Sequence, residues 1–158
     1  MNIRIGNGYD VHRLAEGLPL WLGGVLIPHN LGSVAHSDGD VLIHAICDAL
    51  LGAAGLRDIG VYFPDTDPTF KGVDSKILLH EVMKLLREKG YTVGNIDTVI
   101  CLQRPKIMGF IPQMQETLAN VMEIAIENIS IKATTSEKLG FVGREEGISA
   151  YAVVLLSH

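Results

Sequence analysis

Apolar positions along the chain alternate in some stretches with a period of two and recur in others every three to four residues, and glycines mark the breaks. Residues 2–13 read as a strand rich in Ile, Tyr and Val, loosened at Gly6 and Gly8. Residues 20–27 read as a short strand broken at Gly23-Gly24. A helical pattern runs from about Asp38 to Ala54, with Gly55 as its stop. Its small residues Ala45, Ala49, Gly52, Ala53 and Ala54 suit close packing. Residues 57–73 carry Asp58, Gly60, Pro64, Asp65, Asp67, Pro68 and Gly72, show no periodicity, and predict a long loop of the kind that carries function. A second helix over 74–89 presents Ile77, Leu78, Val82, Leu85 and Leu86 as one stripe and ends at Gly90. Residues 91–102 predict a strand, 107–126 a third helix with Pro112 near its first turn, and 128–135 and 147–157 two further strands.

That order predicts an α+β fold: a mixed β-sheet covered on one side by helices, in a single catalytic domain over residues 1–158. There is no linker, internal repeat or low-complexity tract. The last strand, Ile148 to Leu156, is apolar on both faces, so its second face is expected to meet another subunit.

Composition narrows the function classes. The 158 residues are 47% hydrophobic with a mean hydropathy of +0.27, enough for a proper core. With only 6% aromatic residues, that core must be Val, Ile, Leu and Ala. A net charge of −5 argues against nucleic acid as a partner, because phosphate neutralisation needs a basic face. No apolar run reaches the roughly 18 residues of a membrane span. Met1-Asn2-Ile3-Arg4 lacks the apolar core of a signal peptide. Cys47 and Cys101 sit in apolar runs and read as buried free thiols of a reducing compartment, although a disulfide stays open. A cytosolic enzyme or binding module is the expectation.

The candidate chemistry begins at Asp10-Val11-His12, whose side chains share one face of a strand. His36-Ser37-Asp38-Gly39-Asp40 and His44 follow, with Ser37 placed to cap a helix whose third position is Asp40. His44 then lies one turn beyond Asp40 on the same face. Asp10, His12 and His44 make a three-ligand zinc site with an open position, the mark of a catalytic rather than a structural metal. Phe63-Pro64-Asp65-Thr66-Asp67 offers two carboxylates but, taken alone, reads as an Asx-type turn. Gln103-Arg104-Pro105-Lys106 is basic, with Lys106 either a phosphate contact or a solvated lysine. Thr134-Thr135-Ser136-Glu137 ends a strand with three hydroxyls and a carboxylate, suited to phosphate and a divalent cation or to capping a short turn. Gly140-Phe141-Val142-Gly143-Arg144 is a turn with an exposed aromatic.

Taken together and in this order, these elements, with Asp58-Ile59-Gly60, Phe70-Lys71-Gly72 and the Lys132-to-Gly147 stretch, resemble the 2-C-methyl-D-erythritol 2,4-cyclodiphosphate synthase family over essentially the whole chain. The resemblance implies a homotrimer of the non-mevalonate isoprenoid pathway with sites between neighbouring subunits. It implies cyclisation of 4-diphosphocytidyl-2-C-methyl-D-erythritol 2-phosphate to the cyclic diphosphate with release of CMP. The substrate's own 2-phosphate attacks the β-phosphorus.

By matching position, Asp10, His12 and His44 would hold zinc or another divalent transition metal, and His36 and Ser37 would contact the diphosphate. Asp58, Ile59 and Gly60 would meet the methylerythritol part, with Phe63, Pro64, Asp65, Thr66 and Asp67 lining the same pocket. Leu102, Gln103, Arg104, Pro105, Lys106, Ile107 and Met108 would form the cytosine pocket of the adjacent subunit. Thr134, Thr135 and Ser136 would meet the CMP phosphate, and Glu137 a magnesium or manganese ion. His36 and Thr135 are the expected catalytic groups, and Phe141 and Arg144 would face the trimer's central cavity.

Four positions depart from the family pattern. Asn7 replaces a common His, Ser136 a common Thr, Leu102 a frequent Ala, and Glu145 a usual Gly beside Arg144. Two other functions use the same residues. One is a zinc-dependent phosphodiesterase or nucleotide hydrolase with metal-bound water as nucleophile. The other is a non-enzymatic trimeric binder of isoprenoid diphosphates built on Phe141 and Arg144, which would have no use for an open metal position. The setting is a bacterial cytoplasm, or a plastid-type stroma after removal of a transit peptide.

Overall fold

The computed structural model describes residues 2–158; Met1, at the start of the stretch read above for a leader, lies outside the described residues. The alternating segments become β1 (Ile3–Glu16), β4 (Leu31–Val34), β5 (Thr92–Cys101), β6 (Ile129–Thr134) and β7 (Gly147–Ser157). They join in one sheet in the order β4–β1–β7–β5–β6. Only β5 and β6 run parallel, so the sheet is mixed as expected. The 20–27 segment is a separate hairpin of β2 (Leu20–Leu22) and β3 (Val25–Ile27), turning at Gly23-Gly24. The helices are α1 (Val41–Ala53), α2 (Ile59–Tyr62), α3 (Ser75–Glu88), α4 (Ile111–Met122) and α5 (Gly140–Gly143). None among the described residues is long and apolar enough to cross a membrane.

The central contact is α1 against β1 and β7. Gly6 and Gly8 do not loosen β1; they are the surface on which the helix sits. A Cβ at Gly6 would lie 1.9 Å from the Ala49 carbonyl oxygen, and one at Gly8 would lie 2.0 Å from that of Ala45. Ala150 and Ala152 on β7 are buried on the same face. Alternation then sends Asp10 and His12 to the helix side of the sheet. The backbone contact at Gly8 therefore fixes how close His44 comes to both.

On this basis Gly8→Ala is expected to lower stability by about 1–3 kcal/mol or more, because the obstacle is backbone rather than a movable side chain. The same displacement of α1 should weaken metal binding. Urea unfolding and a metal titration measure the two effects.

Opposite the helices, Ile3, Ile5, Tyr9, Val11, Tyr151 and Val153 are exposed. The second face of β7 is therefore apolar and open in the single chain.

Several boundaries differ from expectation. Helix α1 starts at Val41, and Asp40 rather than Ser37 is its cap, because Gly39 takes a φ of +74° just before it. Asp40 is fully buried, and its carboxylate accepts from the N–H groups of Ile43 (3.0 Å), Gly23 (3.0 Å) and Gly24 (2.7 Å). One side chain thus caps α1 and holds the β2–β3 turn. Ser37 instead accepts from Gly39 N–H at 3.2 Å. The third helix is shorter than 107–126: Met108–Phe110 is a tight 3₁₀ turn, and Glu123 ends α4 at a φ of +55°. The 57–73 loop contains α2 and a 3₁₀ turn over Pro68–Phe70. Strand β4 and helix α5 carry too few residues for a periodic signal; β4 pairs with Arg13–Glu16 and so extends β1 beyond residue 13. Both cysteines are free, Cys47 buried and Cys101 half-buried, because Cys101 alternates with buried Ile100.

Candidate metal centre

Asp10 and His12 on β1 and His44 on α1 converge. Asp10 Oδ2 is 3.0 Å from His12 Nε2 and 3.0 Å from His44 Nδ1, and the two ring nitrogens are 3.2 Å apart. A tetrahedral ion with bonds of about 2.1 Å has ligand atoms roughly 3.4 Å apart, so the donor set fits such an ion with little adjustment. Among the described residues this is the one group of three such donors within 4.8 Å of one another.

Three electron-rich atoms this close need positive charge between them, supplied by protons or a cation. The titration shifts follow from that crowding. Burial raises the Asp10 carboxyl, but hydrogen bonds from His12 and His44 outweigh it and hold the group at about 2. Burial lowers the His44 imidazole, and the Asp10 contact with the charges of Asp40 and Asp38 more than reverses this, leaving it above the ordinary histidine range. Burial also raises Asp48, one turn beyond His44, whose Oδ1 accepts from Ile59 N–H at 2.8 Å. Asp48 therefore anchors the start of α2.

The centre opens on a cavity of about 440 Å³. His12, His36, Ser37, His44, Ile59, Gly60, Phe63, Pro64 and Asp65 line it, together with Ala35, Phe70, Val73 and Leu78, which the sequence did not single out for this role. His36 Nε2 donates to the Asp67 carbonyl at 3.0 Å, clasping the 57–73 loop to the start of the metal segment. Asp58 and Asp67 serve as caps: Asp58 accepts from Val61 N–H (3.3 Å), and Asp67 from Thr69 N–H (2.9 Å). Neither they nor Thr66 lines the cavity.

A second cavity of about 410 Å³ is lined by Leu102, Gln103, Pro105, Lys106, Ile107, Met108, Thr134 and Thr135, with Gly109 and Ala133. It shares no lining residue with the first. Asp10 and Ile100 both pair with Ala150, and Ile100 pairs with Ala133. The two sites thus lie at one end of the sheet, three strand spacings or roughly 14 Å apart.

Ser136 and Glu137 stand outside this second lining, with Glu137 N–H donating to Thr135 Oγ1 at 3.2 Å. Arg104 is also outside it, paired with Glu145 at 2.8 Å. Arg144 pairs with Glu146 at 2.7 Å, so the carboxylate of Glu145 is engaged away from it. Phe141 borders a small cavity with Val11, His12 and Arg13.

The YgbB family model matches residues 3–157. The 2-C-methyl-D-erythritol 2,4-cyclodiphosphate synthase of Porphyromonas gingivalis is 64% identical over 153 residues, covering 97% of this chain and 94% of that one. The bifunctional IspDF of Campylobacter jejuni superposes with a TM-score of 0.95 at 47% identity, covering 98% of this chain but 42% of that longer one. A 2C-methyl-D-erythritol-2,4-cyclodiphosphate synthase solved in a CDP-bound form gives a TM-score of 0.90 at 44% identity, covering 98% of this chain and all of that one. From a match spanning nearly every residue and from full-length relatives of the same fold, the chain belongs to the YgbB family.

Proposed function

We propose that the protein is a phosphorus–oxygen lyase that converts 4-diphosphocytidyl-2-C-methyl-D-erythritol 2-phosphate into 2-C-methyl-D-erythritol 2,4-cyclodiphosphate and CMP, in the non-mevalonate route to isoprenoids. The observation that carries this is the Asp10–His12–His44 centre on the wall of a cavity edged by His36 and Ser37, in a chain so closely related to synthases of that name.

Asp10, His12 and His44 would hold zinc or another divalent transition metal and Glu137 would hold magnesium or manganese; such ions would supply positive charge to phosphate oxygens and polarise phosphorus. Glu137 brings a single carboxylate, which fits magnesium because that ion draws its other ligands from phosphate and water.

The chain's own residues position the reactants. Ser37 Oγ already accepts from Gly39 N–H, so its hydroxyl proton is free for a phosphate oxygen. His36, whose Nε2 proton is committed to the Asp67 carbonyl, borders the same diphosphate. Ile59, Gly60, Phe63, Pro64 and Asp65 line the cavity that takes the methylerythritol part, and the caps Asp58 and Asp67 hold the shape of that loop. Leu102, Gln103, Pro105, Ile107 and Met108 hold cytosine, with buried Leu102 in the wall, and Lys106 faces phosphate as a point charge. Thr134 gives its hydroxyl proton to the Thr135 carbonyl. Thr135 Oγ1, which accepts from Glu137 N–H, keeps its own proton for the leaving CMP phosphate.

The substrate's 2-phosphate oxygen bonds to the β-phosphorus as the bond to CMP breaks. Bringing the two ends together makes the reaction intramolecular, an advantage of about 7–11 kcal/mol when orientation is good. The protein needs no nucleophile of its own, consistent with a site made of donors and carboxylates.

We further propose a homotrimer closed through the apolar sheet face, with each site shared by two subunits and Phe141 and Arg144 at its central cavity. Free Cys47 and Cys101 suit a reducing cytoplasm or plastid-type stroma.

The test is product analysis of the purified protein with the diphosphocytidyl substrate and a divalent metal. The cyclic diphosphate with equimolar CMP is expected. A linear phosphate product would mean that water is the nucleophile and that the protein is a metal-dependent phosphodiesterase.

A further inference from the structure

Ser75 has no part in the reaction above, yet the metal centre's His44 rests on it. It is the first residue of α3 and fully buried, and its hydroxyl oxygen lies 2.9 Å from His44 Nε2. The proton count at this contact is determinate. Asp38, as a carboxylate, only accepts: its Oδ1 receives the Ser75 hydroxyl and Asp40 N–H (3.1 Å), and its Oδ2 receives Ser75 N–H (2.9 Å). The one hydroxyl proton of Ser75 is thereby committed to Asp38. Ser75 Oγ can then meet His44 only as an acceptor, so Nε2 carries a proton. With Nε2 so held, Nδ1 is the nitrogen that can give up its proton to a metal, and it faces Asp10 Oδ2 at 3.0 Å and His12 Nε2 at 3.2 Å.

We propose that Ser75, anchored by Asp38, is a positioning residue that fixes His44 in its Nε2–H tautomer and so presents Nδ1 to a divalent metal. Ser37 Oγ, 3.2 Å from the same Nε2, is a longer second acceptor already occupied by Gly39 N–H. The arrangement is built by tertiary structure. Ser75 is 31 residues from His44 and 37 from Asp38. The returning end of the 57–73 loop brings it there, held by Gly72 N–H on the His36 carbonyl (2.7 Å) and Asp38 N–H on the Val73 carbonyl (3.0 Å). The loop that walls the phosphate cavity therefore also sets the aim of a metal ligand. Second partners of metal-bound histidines commonly carry this share of the affinity.

The inference rests on the metal-centre reading, and its test separates the two. Zinc titration of wild type and Ser75→Ala, without substrate, should show about 10–100-fold weaker binding in the variant. Long-range ¹⁵N–¹H spectra of zinc-loaded wild type should show His44 protonated at Nε2 and metal-bound at Nδ1. That measurement decides the matter even where Ser75→Ala does not fold. Wild-type affinity in folded Ser75→Ala, or zinc on Nε2 of His44, overturns the role of Ser75 while leaving the metal centre intact. Wild-type protein that binds no zinc overturns the metal-centre reading and this inference with it.

Discussion

His44→Ala protein is expected to purify folded, to carry little zinc and to lose at least about a thousandfold in turnover. The fold should persist because position 44 faces the donor cluster from a helix otherwise buried on apolar residues, and alanine is the better helix former. The metal should go because Asp10 and His12 would remain as two donors from one strand, and zinc centres with an open position use three. Charge stabilisation of a transferring phosphoryl group by a metal is worth several kcal/mol, and each 1.36 kcal/mol is a tenfold change in rate. The change in proton balance points the same way. In the metal-free chain hydrogen bonds from His12 and His44 hold the Asp10 carboxyl low; with the His44 imidazole gone, one of those partners is lost and a single ring remains beside the carboxylate. Metal analysis, circular dichroism and a CMP-release assay on the same preparation measure the three expectations. Wild-type zinc stoichiometry together with wild-type turnover would remove His44 from the site.

The parts of this centre that could be read in the chain, and the parts that could not, divide along a physical line. Asp10-x-His12 was legible because strand alternation places i and i+2 side by side whatever the strand packs on. His44 was legible because it falls on a strongly apolar helical pattern. The cap of that helix reads as Ser37 in the sequence but is Asp40 in the fold, because a carboxylate that also ties Gly23 and Gly24 can only be recognised once the hairpin lies beside it. Gly6 and Gly8 looked like weak points in a strand, since nothing local says that a helix backbone will rest there. Ser75 drew no notice in the sequence, because its partner lies 37 residues earlier. Local rules identify donors, and tertiary contacts decide how they are aimed. The roles of Asp58 and Asp67 show the same limit from the other side. Both are caps within the single chain, and what they do for a substrate depends on groups that approach from outside it.

The largest test of assembly is complementation between two inactive variants. Within one chain, the backbone at Asp10 and at Ala133 is roughly 14 Å apart across the sheet, and the two cavities share no lining residue. Groups acting on one diphosphate must reach the same few atoms, which is why we place the metal side of one subunit against the Thr135 side of its neighbour. Thr135→Ala should keep its metal and lose about 2.7–4 kcal/mol of transition-state stabilisation, the usual cost of removing a donor to a developing charge. His44→Ala should keep its nucleotide side and lose its metal. In any mixed closed ring, one junction then joins an intact metal side to an intact nucleotide side, another joins two damaged sides, and the third carries one of each. Random mixing in equal amounts should restore about a quarter of the sites, by the statistics of a three-membered ring. Co-refolded mixtures are therefore expected to show turnover that neither parent has, highest near equal proportions and absent when the two proteins are mixed without exchange of subunits. Mixed trimers, separated by charge-tagged chromatography, that stay as inactive as their parents would place each complete site within a single subunit and would end the shared-site model.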